Sequence, residues 1–185
     1  MTRIVAGSAK GVTLRVPRSG TRPTSEKVRE ALVGSLEHRG YISGCRVADL
    51  FAGSGAVALE AKSRGAAAVV AVEAARQAAD VIHANARATG LDIAIRREKA
   101  ETWAAGYSGA AFDLIFLDPP YAYPEAKLAA LLAALGEHLE ADGAVVVERD
   151  SHSPEPTWPT GWELLDARSF GDTRVWTARP DRVEA

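Results

Sequence analysis

The stretch FDLIFLDPPY, residues 112–121, constrains this chain more than any other. From Leu114 to Leu117 every residue is apolar, and the run then meets Asp118 and two prolines. It reads as a buried strand cut off sharply at its C-terminal end. In open α/β sheets ligands sit outside the carboxyl ends of the strands, so Asp118, Pro119, Pro120 and Tyr121 are expected together at such a mouth. That set suits a planar base carrying an exocyclic amine. A conjugated amine is a poor nucleophile because its lone pair is delocalised into the ring. A carboxylate and a backbone carbonyl that accept its two N–H bonds favour the pyramidal, attacking form. Asp118 and the carbonyl of Pro119 are the candidate acceptors. The two prolines stiffen the turn, and Tyr121 offers a face on which a flipped base can stack. A lone Asp-Pro is more often a loop cap. Asp-Pro-Pro-Tyr after a buried strand is a catalytic candidate.

Upstream lies a second signal. Residues 46–51 (RVADLF) read as the first strand of the main sheet and run into Ala52-Gly53-Ser54-Gly55, followed by the helical AVALEAKSRGA. Glycines at a strand-to-helix turn let backbone approach a ligand closely. Residues 68–73 (AVVAVE) form the next strand and end on Glu73, 20 residues after Gly53, where a carboxylate can bind ribose hydroxyls. Gly53-x-Gly55-x-x-Ala58 alone fits a nicotinamide dinucleotide as well as S-adenosylmethionine. A nicotinamide-dependent oxidoreductase, however, has no use for Asp-Pro-Pro-Tyr.

The remaining chain fits one α/β domain of 185 residues with a small appendage. Residues 3–6 and 12–16 are short apolar and β-branched runs around a Gly-rich turn, an expected hairpin. Thr24 or Ser25 caps a helix whose expected core stripe is Val28, Ala31, Leu32, Ser35 and Leu36. Further helices are expected at 74–89 and 125–139 and further strands at 92–97, 112–118 and 144–148, giving a parallel, doubly wound sheet. Runs at 162–168 and 173–178 flank a turn and add an antiparallel C-terminal edge. The single cysteine, Cys45, excludes an internal disulfide, and no Cys or His cluster has metal-ligand spacing. No run approaches the roughly 18 apolar residues of a membrane span, and Met1-Thr2-Arg3 leads into no leader-like apolar core, so a cytoplasmic location is expected.

Charge is unevenly spread. The net charge is -2, yet residues 1–30 hold seven basic side chains against Glu26 and Glu30, so this segment carries +5 and the rest -7. A basic arm on an acidic body suits a polyanionic partner. Arg22 and Arg29 are expected to reach towards a ligand.

Together, RIVAGSAKG…TRPTSEKVREAL, VADLFAGSGAVALEAKSRGA and FDLIFLDPPY resemble the RsmD-type family of 16S ribosomal RNA guanine-N2 methyltransferases, over nearly the whole chain. The glycine turn with Asp-Pro-Pro-Tyr is shared by many amino-group methyltransferases. Arg22-Pro23-Thr24, residues 28–32 and Ser63-Arg64-Gly65-Ala66 are the more specific parts. The resemblance implies a Rossmann-like class I methyltransferase domain at 24–185, with a mostly parallel seven-stranded sheet, preceded by a basic hairpin and loop at 1–23. It implies S-adenosylmethionine held by Asp49, Phe51, Ala52, Gly53, Gly55, Glu73, Ala100 and Glu101. The family pattern has an acidic residue where this chain has Lys99, so Glu101 or Glu98 is expected in its place. Asp118, Pro119, Pro120 and Tyr121 would engage the guanine, and Lys10, Arg15, Arg22, Thr24 and Arg29 the RNA. No metal is implied. The expected partner is ribosomal RNA within an assembling small subunit, met by a monomer. An amino-group methyltransferase acting on DNA or transfer RNA is the alternative of the same chemistry.

Overall fold

A computed structural model describes residues 1–18 and 25–182. Among these, a two-stranded ladder, β1 (Thr2–Arg3) with β2 (Thr13–Leu14), precedes a seven-stranded sheet. The sheet strands are β3 (Arg46–Asp49), β4 (Ala68–Val72), β5 (Ala94–Arg96), β6 (Phe112–Leu117), β7 (Leu139–Asp150), β8 (Trp162–Phe170) and β9 (Thr173–Pro180). Their order is β5-β4-β3-β6-β7-β9-β8, with β5 through β7 parallel and β9 antiparallel to both β7 and β8. The chain winds outward from β3 to β5, then crosses back to β6 on the other side of β3. The strand order therefore reverses between β3 and β6, where α/β sheets open a ligand crevice.

Both faces of the parallel strands are apolar because both are covered. One face packs against α1 (Glu26–His38), α2 (Ala56–Ser63) and α3 (Arg76–Thr89) through Leu32, Leu36, Ala58 and Ile82. The other packs against α4 (Ala100–Gly106) and α5 (Glu125–Leu135) through Trp103, Leu128, Leu132 and Leu135. Leu114 and Phe116 of β6 serve the first face, Ile115 and Leu117 the second, as alternation in a strand requires.

The N-terminal ladder is shorter than the expected hairpin, for a specific reason. The amides of Val5 and Ala6 donate not to a neighbouring strand but to the Glu60 carboxylate on α2, at 2.9 and 3.1 Å. Ser63 then accepts from the amides of Ser8, through its carbonyl, and Ala9, through its hydroxyl, at 2.8 and 2.9 Å. Gly7, at φ 86°, lies so close that a Cβ there would stand 1.9 Å from the Ser63 carbonyl oxygen. Only glycine fits that contact.

The core stripe of α1 is Arg29, Leu32, Val33 and Leu36 rather than Val28, Ala31, Leu32, Ser35 and Leu36; Ala31 is exposed. The helix is rotated from the expected face because Glu60 makes room for a buried guanidinium. Arg29 Nε meets Glu60 Oε1 at 3.2 Å, Nη1 donates to Thr2 Oγ1 at 3.1 Å, and Nη2 donates to the Arg3 carbonyl. Arg64 holds the other Glu60 oxygen at 3.2 Å. Ser25 caps the helix, accepting from the Val28 amide at 3.2 Å. Elsewhere, α5 stops at Leu135 and a 3-10 turn (Gly136–His138) follows, while β7 begins at Leu139, well before residue 144. His138 Nε2 lies 2.7 Å from the Ala104 carbonyl oxygen and ties that turn to α4.

Arg29→Met should lower unfolding free energy by about 3 kcal/mol, the lower end for breaking a buried pair because Arg64 remains on Glu60. Urea unfolding measures it. A loss below about 1 kcal/mol, the range of exposed pairs, would contradict this account of Arg29.

Candidate active site

Three adjacent strands deliver three carboxylates to one edge of the sheet. Asp49 ends β3, Glu73 follows β4 and Asp118 follows β6. Asp49 is 1% exposed, and the backbone N–H groups of Phe51 and Ala58 lie near its carboxyl. Its Oδ1 is buried without a hydrogen-bond partner among the described residues. Burial, helped by the charges of Asp118 and Glu73 and opposed by those two amides, pushes the Asp49 pKa up to about 8. A cation arriving beside it would reverse the balance and favour the carboxylate.

The glycine turn lies between these acids. Gly53 (φ 56°) donates its N–H to Glu73 Oε1 at 2.9 Å, while Ala75 donates to Oε2 at 2.8 Å. A Cβ on Gly53 would meet nothing within 4 Å, so the backbone faces open space. Gly55 (φ 80°) is different, since a Cβ there would stand 2.9 Å from Ile82 Cγ2. Gly53 thus leaves room for a ligand, and Gly55 lets α2 settle on α3. Ala52 is anchored through its amide to the Val72 carbonyl at 3.0 Å.

The loop after β6 is tied down on several sides. Tyr123 N–H closes a turn onto the Pro120 carbonyl at 2.9 Å. The Tyr123 hydroxyl donates to Glu101 Oε1, and its ring meets Phe51 edge to face at 5.3 Å between centroids. Tyr123's bond holds Glu101 below the usual carboxylate range, and burial, with that same carboxylate, raises the pKa of Tyr123. Ala100 is buried at the start of α4, while Lys99 is exposed just before it. Asp118 is half-buried and Tyr121 is 76% exposed at the turn. A large exposed aromatic beside a half-buried carboxylate is a ready stacking surface.

The arrangement of the expected RNA contacts needs one correction. Lys10 and Arg15 are exposed on the N-terminal segment. Arg29 is fully buried on Glu60 and cannot meet RNA; its role is to fasten the hairpin to α1 and α2. Arg22 and Thr24 lie outside the described residues. Two residues that sequence reasoning left without a site role prove to organise it. Asn85, buried in α3, accepts from the Arg15 amide at 2.8 Å and donates to the Arg15 and Ser54 carbonyls at 3.0 and 2.8 Å, joining the hairpin to the glycine turn. Arg149 reaches the loop after β6 from β7. A polar residue on an otherwise buried helix face signals the first; an Arg at the end of a valine-rich strand signals the second. Among the described residues no group of three or more His, Cys, Asp or Glu side chains could hold a metal ion, and no helix is long and apolar enough to cross a membrane.

A glycine turn after the first parallel strand and an acid-Pro-Pro-aromatic turn after the fourth, across a topological switch point, define a Rossmann-like methyltransferase. The family described as "Conserved hypothetical protein 95" matches residues 2–179. A Bacillus subtilis relative named "Putative rRNA methyltransferase YlbH" is 39% identical over 180 residues, covering 94% of this chain and 96% of its own. The "Ribosomal RNA small subunit methyltransferase D" of Escherichia coli is 32% identical over 164 residues, covering 88% and 81%. A solved hypothetical protein of Thermus thermophilus superposes with a TM-score of 0.85 at 34% identity, covering 97% of this chain and 99% of its own. The chain belongs to the RsmD-type methyltransferase family.

The raised Asp49 pKa has a direct consequence for stability. Folded protein keeps a proton that the unfolded chain releases above the ordinary value of 3.8, so this contribution is full below about pH 4 and is lost as pH rises through about 8. In ligand-free protein, Asp49→Asn should therefore flatten the fall of unfolding free energy between about pH 5 and about pH 8. Urea titrations at both values measure it. Identical falls in parent and variant would place the proton elsewhere.

Proposed function

We propose that this protein transfers the methyl group of S-adenosylmethionine to the exocyclic N2 amine of a guanine in 16S ribosomal RNA, within an assembling small subunit. The observation that carries the reading is the Asp118-Pro119-Pro120-Tyr121 turn at the end of β6, across the switch point from the Gly53 turn. Relatives named ribosomal RNA small subunit methyltransferase D support the substrate class.

The residues present fit the cofactor. Gly53 has open space before it, Asp49 has an unpartnered buried oxygen, and the charges of Asp118 and Glu73 lie close enough to Asp49 to raise its cost of ionising. Such a site favours a ligand with a cationic centre. Asp49, Phe51, Ala52, Gly53 and Gly55 would hold its methionine part, Glu73 the ribose hydroxyls, and Ala100 and Glu101 the adenine. With Tyr123 on Glu101 Oε1, the adenine amine would be left the other oxygen. When bound, the cofactor supplies an electrophilic methyl group on a positively charged sulfur.

The chain's own part is orientation. Asp118 and the Pro119 carbonyl accept the two N–H bonds of the guanine amine and turn its lone pair out of conjugation. Tyr121 stacks on the base, and Asp118 takes or relays the proton that the amine loses. Alignment of the two reacting groups supplies most of the acceleration, with no covalent enzyme intermediate. Exposed Lys10 and Arg15 contact the phosphates around the flipped base, and Asn85 keeps Arg15 beside the glycine turn.

Asp118→Ala should cut the single-turnover methyl-transfer rate by about 10²–10³, with much less effect on cofactor affinity. Asp118→Asn keeps shape and one acceptor oxygen. An intermediate rate there assigns Asp118 to orientation, and a rate as low as alanine assigns it to charge or proton removal. Full activity of Asp118→Ala would remove it from the site.

A further inference from the structure

We infer that Arg149 is the positioning residue of the base-binding turn: its guanidinium, seated at the end of β7, fixes the loop that carries Asp118 and Tyr121. Arg149 is 5% exposed. Nη1 donates to the Pro120 carbonyl at 3.2 Å, and Nη2 donates both to the Tyr123 carbonyl at 3.2 Å and to Glu125 Oε1 at 3.0 Å. One side chain from a neighbouring strand therefore grips both ends of the Pro120–Tyr123 turn and the first residue of α5.

The anchor is transmitted to the reacting end of the loop by proline stiffness. Between the gripped Pro120 carbonyl and Asp118 there are only Pro119 and Pro120, whose φ angles are fixed, and each residue preceding a proline is itself restricted. Holding Pro120 thus sets the direction of the Pro119 carbonyl and of Asp118. On the other side the turn is closed by Tyr123 N–H on the same carbonyl, and Tyr123 is in turn held by Glu101 and Phe51. Tyr121 stands out from this frame at 76% exposure, so the exposed ring is mounted on a fixed base.

Stability alone does not explain an arginine here. Burying a guanidinium is costly, a whole buried ion pair replaced by well-packed apolar side chains is often as stable, and Arg149 Nε is itself buried without a partner among the described residues. Two backbone carbonyls, which an apolar residue cannot hold, are what the arginine secures. A planar fork with several donors in fixed relation suits two acceptors better than the single point of a lysine ammonium.

The test combines amide exchange with kinetics, on the full chain. In the parent, Tyr123 N–H should be protected; in Arg149→Met it should exchange at least about tenfold faster while Val145, Val146 and Val147 of β7 stay protected. Fast exchange at Tyr123 in the parent, or unchanged protection in the variant, overturns the inference. The kinetic arm rests on the proposed reaction. There Arg149→Met should lower single-turnover transfer to 16S ribosomal RNA by about 10- to 100-fold, since small misplacements of a reacting group cost that much. Cofactor affinity should stay within about twofold of the parent, and Arg149→Lys should recover part of the rate. Unchanged transfer, or cofactor affinity falling in step with the rate, overturns it. Failure of the parent itself to methylate this RNA, free and in assembling small subunits alike, would instead defeat the proposed function, and the exchange comparison would still decide the role of Arg149.

Discussion

Everything in the site depends on the parallel alignment of β3, β4 and β6, which brings the C-terminal ends of three neighbouring strands to one edge. A parallel sheet cannot spread its strand ends over two edges, so Asp49, Glu73 and Asp118 arrive together whether or not their charges agree. They do not agree, and the structure answers in two ways. Glu73 is satisfied by the amides of Gly53 and Ala75, and Asp49 is driven towards its protonated form. The crevice is thereby poised for positive charge without any metal-ligand cluster among the described residues.

A second buried charge does the structural work. Glu60 gathers the amides of Val5 and Ala6, the guanidinium of Arg29 and that of Arg64. Through it α1, α2 and the N-terminal segment become one assembly, and Asn85 extends that assembly to the glycine turn through Ser54. The basic segment is thus held against the rim of the crevice by polar contacts that define one arrangement. Hydrophobic burial of Ile4, Ala9, Leu14 and Leu59 alone would define it less closely.

The sheet was legible because its strands are short apolar runs ended by glycine, acid or proline, and those signals survive without tertiary information. The site's carboxylates and glycines were legible for the same reason: each lies where a strand stops. Arg29 was misread because an arginine on a helix normally faces solvent, and only the buried Glu60, 31 positions away, makes an inward-facing guanidinium tolerable. The hairpin was read too long because nothing local reveals that Glu60 will take the amides of Val5 and Ala6. Arg149 and Asn85 stand out in the sequence only as polar residues among apolar ones. Apart from Glu125 on Arg149, their partners are backbone groups, which residue type does not identify.

The central claim is that this strand-end site modifies a guanine amine in small-subunit ribosomal RNA. Mass-spectrometric mapping of N2-methylguanosine in 16S ribosomal RNA, from cells with and without this protein, tests it most directly. The account predicts that one such nucleotide reverts to guanosine when the protein is absent and is restored by the parent chain. An identical modification map in both cells would contradict it.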